Sequence, residues 1–99
     1  MPADLNIFNL DFGNLAKLMN KGRVDKVYFK MYAVAEKLAI HETKKYLFEL
    51  QAKISSIKSD MDLLTMITDY RKDRISFHMD EMKKLLEMSL KAQLKEKMI

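Results

Sequence analysis

Two histidines stand near acidic residues in this chain: His41 is followed directly by Glu42, and His78 is followed three positions later by Glu81. An imidazole beside a carboxylate can move protons or hold a metal ion. A zinc site needs several such ligands at set spacings. Neither histidine belongs to an H-E-x-x-H or E-x-x-H pattern, and the chain has no cysteine to complete a set. A di-metal carboxylate bundle draws on four inward carboxylates and two histidines, a count that Glu36 and Glu42 do not reach. The spacing predicts surface or capping histidines and no metal site. Ser55, Ser56, Ser59, Ser76 and Ser89 have no adjacent histidine and acid in a nucleophile-elbow context. Gly13 and Gly22 are too far apart for a phosphate-binding loop, and no G-K-[ST] follows either. Catalytic residues and cofactors are therefore not expected.

The densest charged stretch is Tyr70-Arg71-Lys72-Asp73-Arg74. With Lys44 and Lys45 it supplies the candidate nucleic-acid contacts Lys44, Lys45, Arg71, Lys72 and Arg74. The formal charge is +4, and the excess lies in Lys21 to Lys53, which holds eight basic and four acidic residues. A nucleic-acid footprint gathers its cations on one face, whereas most basic residues here sit near acidic ones. Asp69 and Asp73 favour a solvated helix face for the dense stretch. A small basic DNA- or RNA-binding regulator is thus the alternative reading and not the first.

Any such residues must be positioned by helices. Gly and Pro together number three, namely Pro2, Gly13 and Gly22, so Arg23 to Ile99 runs without a strong breaker. That run is rich in Ala, Leu, Met, Lys and Glu, all good helix formers. The expected fold class is all-α, a long antiparallel helical hairpin with a short N-terminal helix and arm that assembles into a helical bundle. Ninety-nine residues, 48% hydrophobic and 32% charged, suit a single helical domain. Its expected parts are an arm over 1–13, a short helix over 14–21, and long helices over 25–58 and 60–97.

In the arm, Phe8, Leu10 and Phe12 alternate with polar residues, which suits an extended stretch docked on the helices. Asn14 is the expected cap of the short helix and Gly22 its left-handed close. Asp25 is the expected cap of the next helix, with Val24 and Phe29 at the positions of a hydrophobic staple. A seam through Val24, Val27, Met31, Val34 and Leu38 would break at His41 to Lys45. A second, two residues out of phase, would run through Leu47, Leu50, Ile54, Ile57, Met61 and Leu64. Ser55 to Asp60, with Ser59 three residues before Asp62, is the expected turn; Thr68 to Arg74 competes with it. The last helix shows a stripe of Ile75, Met79, Met82, Leu86 and Leu90, with Asp80/Lys84 and Glu87/Lys91 pairs on its wet side.

Apolar residues of the first long helix spread beyond one stripe. Phe29, Ala33 and Ile40 lie on a largely separate side from Val27, Met31 and Ala35, and Phe48, Met66 and Tyr70 lie well off the second seam. A helix apolar nearly all round is central in a bundle or covered by another chain. Either the arm covers the second side, or that side is an interface. The expected interface residues are Tyr28, Phe29, Tyr32, Ile40, Phe48, Met66 and Tyr70, and the nine methionines suit an adaptable surface.

In outline, two long helices with surplus apolar surface resemble the small helical chaperones and adaptors of bacterial secretion systems. They also resemble WXG-type helical hairpins, although the Trp-x-Gly turn is missing, since the chain has no Trp. With no cysteine a reducing compartment is permitted, and the expected location is cytoplasmic; the surplus apolar side makes the expected partner a helical protein or its own copy, a dimer first of all. No apolar run approaches a membrane span and no cleaved export signal is expected.

Overall fold

The computed structural model describes residues 8–53 and 59–98. These form three α-helices, α1 over Phe12–Asn20, α2 over Val24–Gln51 and α3 over Asp60–Met98, with no strand among the described residues. The all-α expectation holds. The arm enters through a turn at Phe8 and Asn9, where Asn9 takes φ 49°, a left-handed conformation that Asn tolerates. This turn delivers Phe8 into the core, its ring 6.3 Å from that of Phe12 and edge to face with it.

The cap of α1 is Asp11, not Asn14. The Asp11 carboxylate accepts from the Asn14 N–H at 3.1 Å, so the helix starts at Phe12 and Asn14 falls inside its first turn. At its other end Gly22 has φ 77°. The Arg23 N–H donates to the Leu18 carbonyl and the Gly22 N–H to that of Met19, which is a Schellman close around the expected glycine.

Asp25 does not cap α2. The helix begins at Val24 with Arg23 in the cap position and no side-chain cap bond, and Asp25 sits in the first turn, where the helix dipole favours an acid. Val24 and Phe29 are both exposed, so no buried staple joins them. The helix ends at Gln51, short of the expected residue 58; Ala52 and Lys53 are already turn, and Ile54 and Ile57 of the second expected seam lie outside the described residues.

Val27, Met31, Ala35 and Ala39 are buried at every fourth position, a ridge whose small alanines let a neighbouring helix approach closely. The seam does not break at His41 to Lys45. It shifts by one residue and continues through Glu42, Tyr46 and Leu50, while His41 and Lys45 stay exposed. Of the second expected seam Leu50 is buried, but Leu47, Met61 and Leu64 are exposed, and α3 turns Leu63, Ile67 and Tyr70 inward instead.

α3 starts at Asp60; of the expected turn Ser55 to Asp60, residues 55–58 lie outside the described residues. The Ser59 hydroxyl accepts from the Asp62 N–H at 3.1 Å, and Asp60 and Asp62 face the positive end of the dipole. Thr68 to Arg74, the competing turn, is helical. Met79, Met82 and Leu86 are buried and Ile75 and Leu90 half-buried, as the stripe predicts. On the wet side Glu87 holds Lys91 at 3.2 Å, but Lys84 turns to Glu81 rather than to Asp80.

Tyr46 stacks on Tyr70, and Glu42 meets Arg74 and His78, so rising along α2 is descending along α3 and the two helices are antiparallel. The short α1 lies against α3, where one side chain of α3 ties both of its ends. Gln93 donates from Nε2 to the Gly13 carbonyl at 2.8 Å and accepts from Asn20 at 3.1 Å. Phe8, Phe12, Leu15 and Ala16 join Val27, Met31, Met82 and Leu86 in one core. The molecule measures 63 × 28 × 15 Å with a radius of gyration of 17.7 Å. A compact chain of this length would have about 13 Å. The fold is a thin plate, and among the described residues much of α2 has nothing packed on its outer side.

Candidate interaction surface

The side of α2 that faces outward is fixed by a polar latch on its inner side. Glu42 projects between the helices, where Arg74 donates from Nε at 2.8 Å and its terminal nitrogen approaches to 2.7 Å. His78 Nε2 donates to the other carboxylate oxygen, since a carboxylate can only accept. His78 is not a surface or capping residue: it is 8% exposed, with the rings of Phe8 and Phe77 edge-on to it at 6.3 and 5.4 Å. The Arg74 guanidinium also lies 4.4 Å from the Phe77 ring centre. Burial pulls the Glu42 carboxyl upward, but hydrogen bonds from His78 and Arg74 and the attraction of their charges outweigh it and hold the group below its usual 4.5.

The histidine-acid pairing therefore differs from the one the spacing proposes. His41, beside Glu42 in sequence, is exposed, and Glu81, near His78 in sequence, holds Lys84. The partner of His78 comes from 36 residues away on another helix, and no local pattern carries that signal. Among the described residues no three His, Cys, Asp or Glu side chains are grouped to hold a metal ion. The latch is satisfied on each carboxylate oxygen, and its effect is to set the rotation of α2 about its axis.

With that rotation fixed, the seven expected interface residues divide into separate places. Tyr28 stacks on Tyr32 at 5.8 Å and meets Phe29 edge-on at 6.0 Å, forming an aromatic group near the start of α2. Tyr28 and Tyr32 line a shallow groove with Ile75 and Met79, whereas Phe29 points outward at 68% exposure. Ile40 lines an open groove of about 500 Å³ with Val34, Lys37, Leu38, His41 and Lys44, walled on one side by Asn9 of the arm. Phe48, 76% exposed, closes an adjoining hollow with His41, Lys44, Lys45 and Glu49. Met66 is exposed on α3. Tyr70 is half-buried, its ring 4.1 Å from that of Tyr46, and belongs to the seam.

Among the described residues, α1 and the part of the arm from Phe8 onward leave the second side of α2 uncovered; residues 1–7 of the arm lie outside the described residues. They pack on Val27, Met31 and Ala35 and on α3, and Phe29, Ala33 and Ile40 remain exposed. Leu47 and Phe77 are exposed large apolar residues that sequence reasoning does not assign to an interface. Leu47 falls in a seam that does not form, and Phe77 has no periodic signal.

The five candidate nucleic-acid contacts do not make one free basic face. Arg74 is bound to Glu42, and Arg71 lies 3.4 Å from Glu36. Lys44 and Lys45 are on α2 beside Phe48, and Lys72 lines the groove with Tyr28. No described helix is long and apolar enough to cross a membrane. Compared with known proteins, the chain matches no protein family, no curated protein and no solved structure.

Proposed function

We propose that this chain is a non-catalytic helical interaction module, a small cytoplasmic adaptor or chaperone whose α2 takes another helix along its outward side. The partner helix belongs to a helical protein or to a second copy of this chain. The observation that carries the reading is that Phe29 and Phe48 point into solvent at 68% and 76% exposure, while the core has filled without them. Single exposed apolar residues are ordinary on a monomer, but here Phe29, Ile40, Leu47 and Phe48 follow one another along the outer part of a single helix. Phe29, Ile40 and Leu47 stand eleven and seven residues apart, close to three and two whole turns, so they fall along one line of the helix, with Phe48 a little over a quarter-turn to its side.

The test is Phe29→Asp and Phe48→Asp, with assembly followed by light scattering and co-purification, and folding followed by circular dichroism. Loss of assembly at unchanged helicity supports the reading. Equal loss of both shows that these side chains hold the chain's own core, and retention of assembly shows that the surface is idle.

A further inference from the structure

The charges on the two long helices are arranged as complementary edges. On α2, Lys30, Lys37 and Lys44 recur at seven-residue intervals, and all three are exposed and in no ion pair among the described residues. Seven residues are nearly two helical turns, so the three stand in a line spaced about 10 Å apart. On α3, Asp73, Asp80 and Glu87 repeat at the same interval, all exposed. Asp73 and Asp80 are in no ion pair among the described residues, while Lys84 and Lys91, one turn beyond Asp80 and Glu87 on the same side, are held by Glu81 and Glu87.

The two lines are also level with each other. Tyr46 on Tyr70 and Glu42 on Arg74 set the rungs between the antiparallel helices. Counting along those rungs, Lys44 is level with Asp73 to within about a residue. Lys37 is then level with Asp80, and Lys30 with Glu87. These side chains are on outward parts of their own helices and do not meet within one chain. Sliding one copy sideways past another, without moving it along the helix axis, brings each lysine of one copy opposite an acid of the next.

We infer that the helix taken by α2 is α3 of a second copy, docked edge to edge with Lys30, Lys37 and Lys44 against Glu87, Asp80 and Asp73. This rests on the reading of the outer side of α2 as a helix-binding edge and names its occupant. The contact is heterologous, using a different patch on each copy, so each docked copy still offers one free edge of each sign and assembly continues beyond a dimer unless it closes into a ring. Single exposed ion pairs are weak and screened by salt. Three in register, flanked by Ile40 and Leu47, give an association that depends on concentration and is sensitive to salt.

The experiment uses the full chain and two charge reversals at exposed positions, Lys37→Glu with Lys44→Glu, and Asp73→Lys with Asp80→Lys. At low salt the apparent mass of the wild type by light scattering should climb above the 11.7 kDa monomer with concentration and return to it in high salt. Each double variant alone should remain at the monomer mass, because its two edges carry the same sign. An equimolar mixture of the two should assemble again. A wild type that stays monomeric at every concentration overturns the edge contact while leaving a foreign helix open as partner. Variants that assemble as the wild type does also overturn it. Phe29→Ala and Phe48→Ala keep every charge in place, so indifference of all assembly to them counts against the binding edge itself.

Discussion

His78 and Glu42 lie 36 residues apart in sequence and meet between α2 and α3, the imidazole Nε2 donating to Glu42 Oε1 while Arg74 occupies the other oxygen. A carboxylate in an otherwise apolar seam is tolerated because both oxygens are answered from the facing helix. Its presence explains why the apolar pattern of α2 falters at this level without the helix ending.

Replacing Glu42 with Gln keeps the size of the side chain but removes the charge that both partners address. The expected loss of stability is about 1–3 kcal/mol, typical of a buried charged hydrogen bond left unmade. Thermal unfolding should show it as a midpoint drop of roughly 4–8 °C per kcal/mol for a domain of this size. An unchanged midpoint would show that the latch contributes nothing net.

The lowered Glu42 carboxyl also links stability to pH. A group held below its unfolded value near 4.5 stabilises the fold above that value, and the contribution fades as pH falls through the lowered folded value. Acidification below about pH 4.5 should therefore reduce the melting temperature of the wild type more steeply than that of Glu42→Gln. Parallel profiles would remove Glu42 from the acid response.

The two helix-region glycines should behave oppositely. Gly22 closes α1 at φ 77°, and a methyl group added to its Cα would have nothing within 4 Å. Gly22→Ala therefore meets no clash and is penalised only by its backbone, about 1 kcal/mol. Gly13 lies in the first turn of α1, where an added Cβ would make an ordinary 3.4 Å contact with the Asp11 carboxylate. Gly13→Ala should be neutral or stabilising by up to about 0.5 kcal/mol. Chemical denaturation of both variants checks the contrast.

Phe8 anchors the arm through Phe12 and His78 and is almost wholly buried. Phe8→Ala should cost about 3 kcal/mol by leaving a cavity between the arm and α3. Limited proteolysis should then cut first in the arm; equal resistance to the wild type would mean that the arm docks without this ring.

Much of the fold is legible in the sequence where a local signal exists. Gly22, the Ser59 cap and the stripe from Ile75 to Leu90 each announce themselves within a few residues, and each lies where its pattern places it. The reading fails where distant partners decide. A seam weighted toward large side chains follows Val34 and Leu38, which are half-buried, whereas Ala35 and Ala39 are fully buried because their small size suits a close helix contact. It also breaks at His41 to Lys45, because it does not move one residue on to Glu42, whose two partners come from α3. The surface is legible in kind but not in arrangement: Phe29, Ile40 and Phe48 are exposed as a second apolar side would be, whereas Tyr70 turns inward onto Tyr46.

The clamp by Gln93 on both ends of α1 has a consequence for the order in which the chain assembles. Nine residues are too few to hold a helix in water alone, and the amide that ties Gly13 and Asn20 arrives from 80 and 73 positions away. Loop-closure entropy favours closing that long loop after α2 has zippered onto α3, where the contacts at Glu42 and Tyr46 reach across shorter stretches of chain. Were the same segment to lift away as a unit, it would bare Met82 and Leu86, which share its core, while the contacts of α2 with α3 at Glu42 and Tyr46 would stay in place.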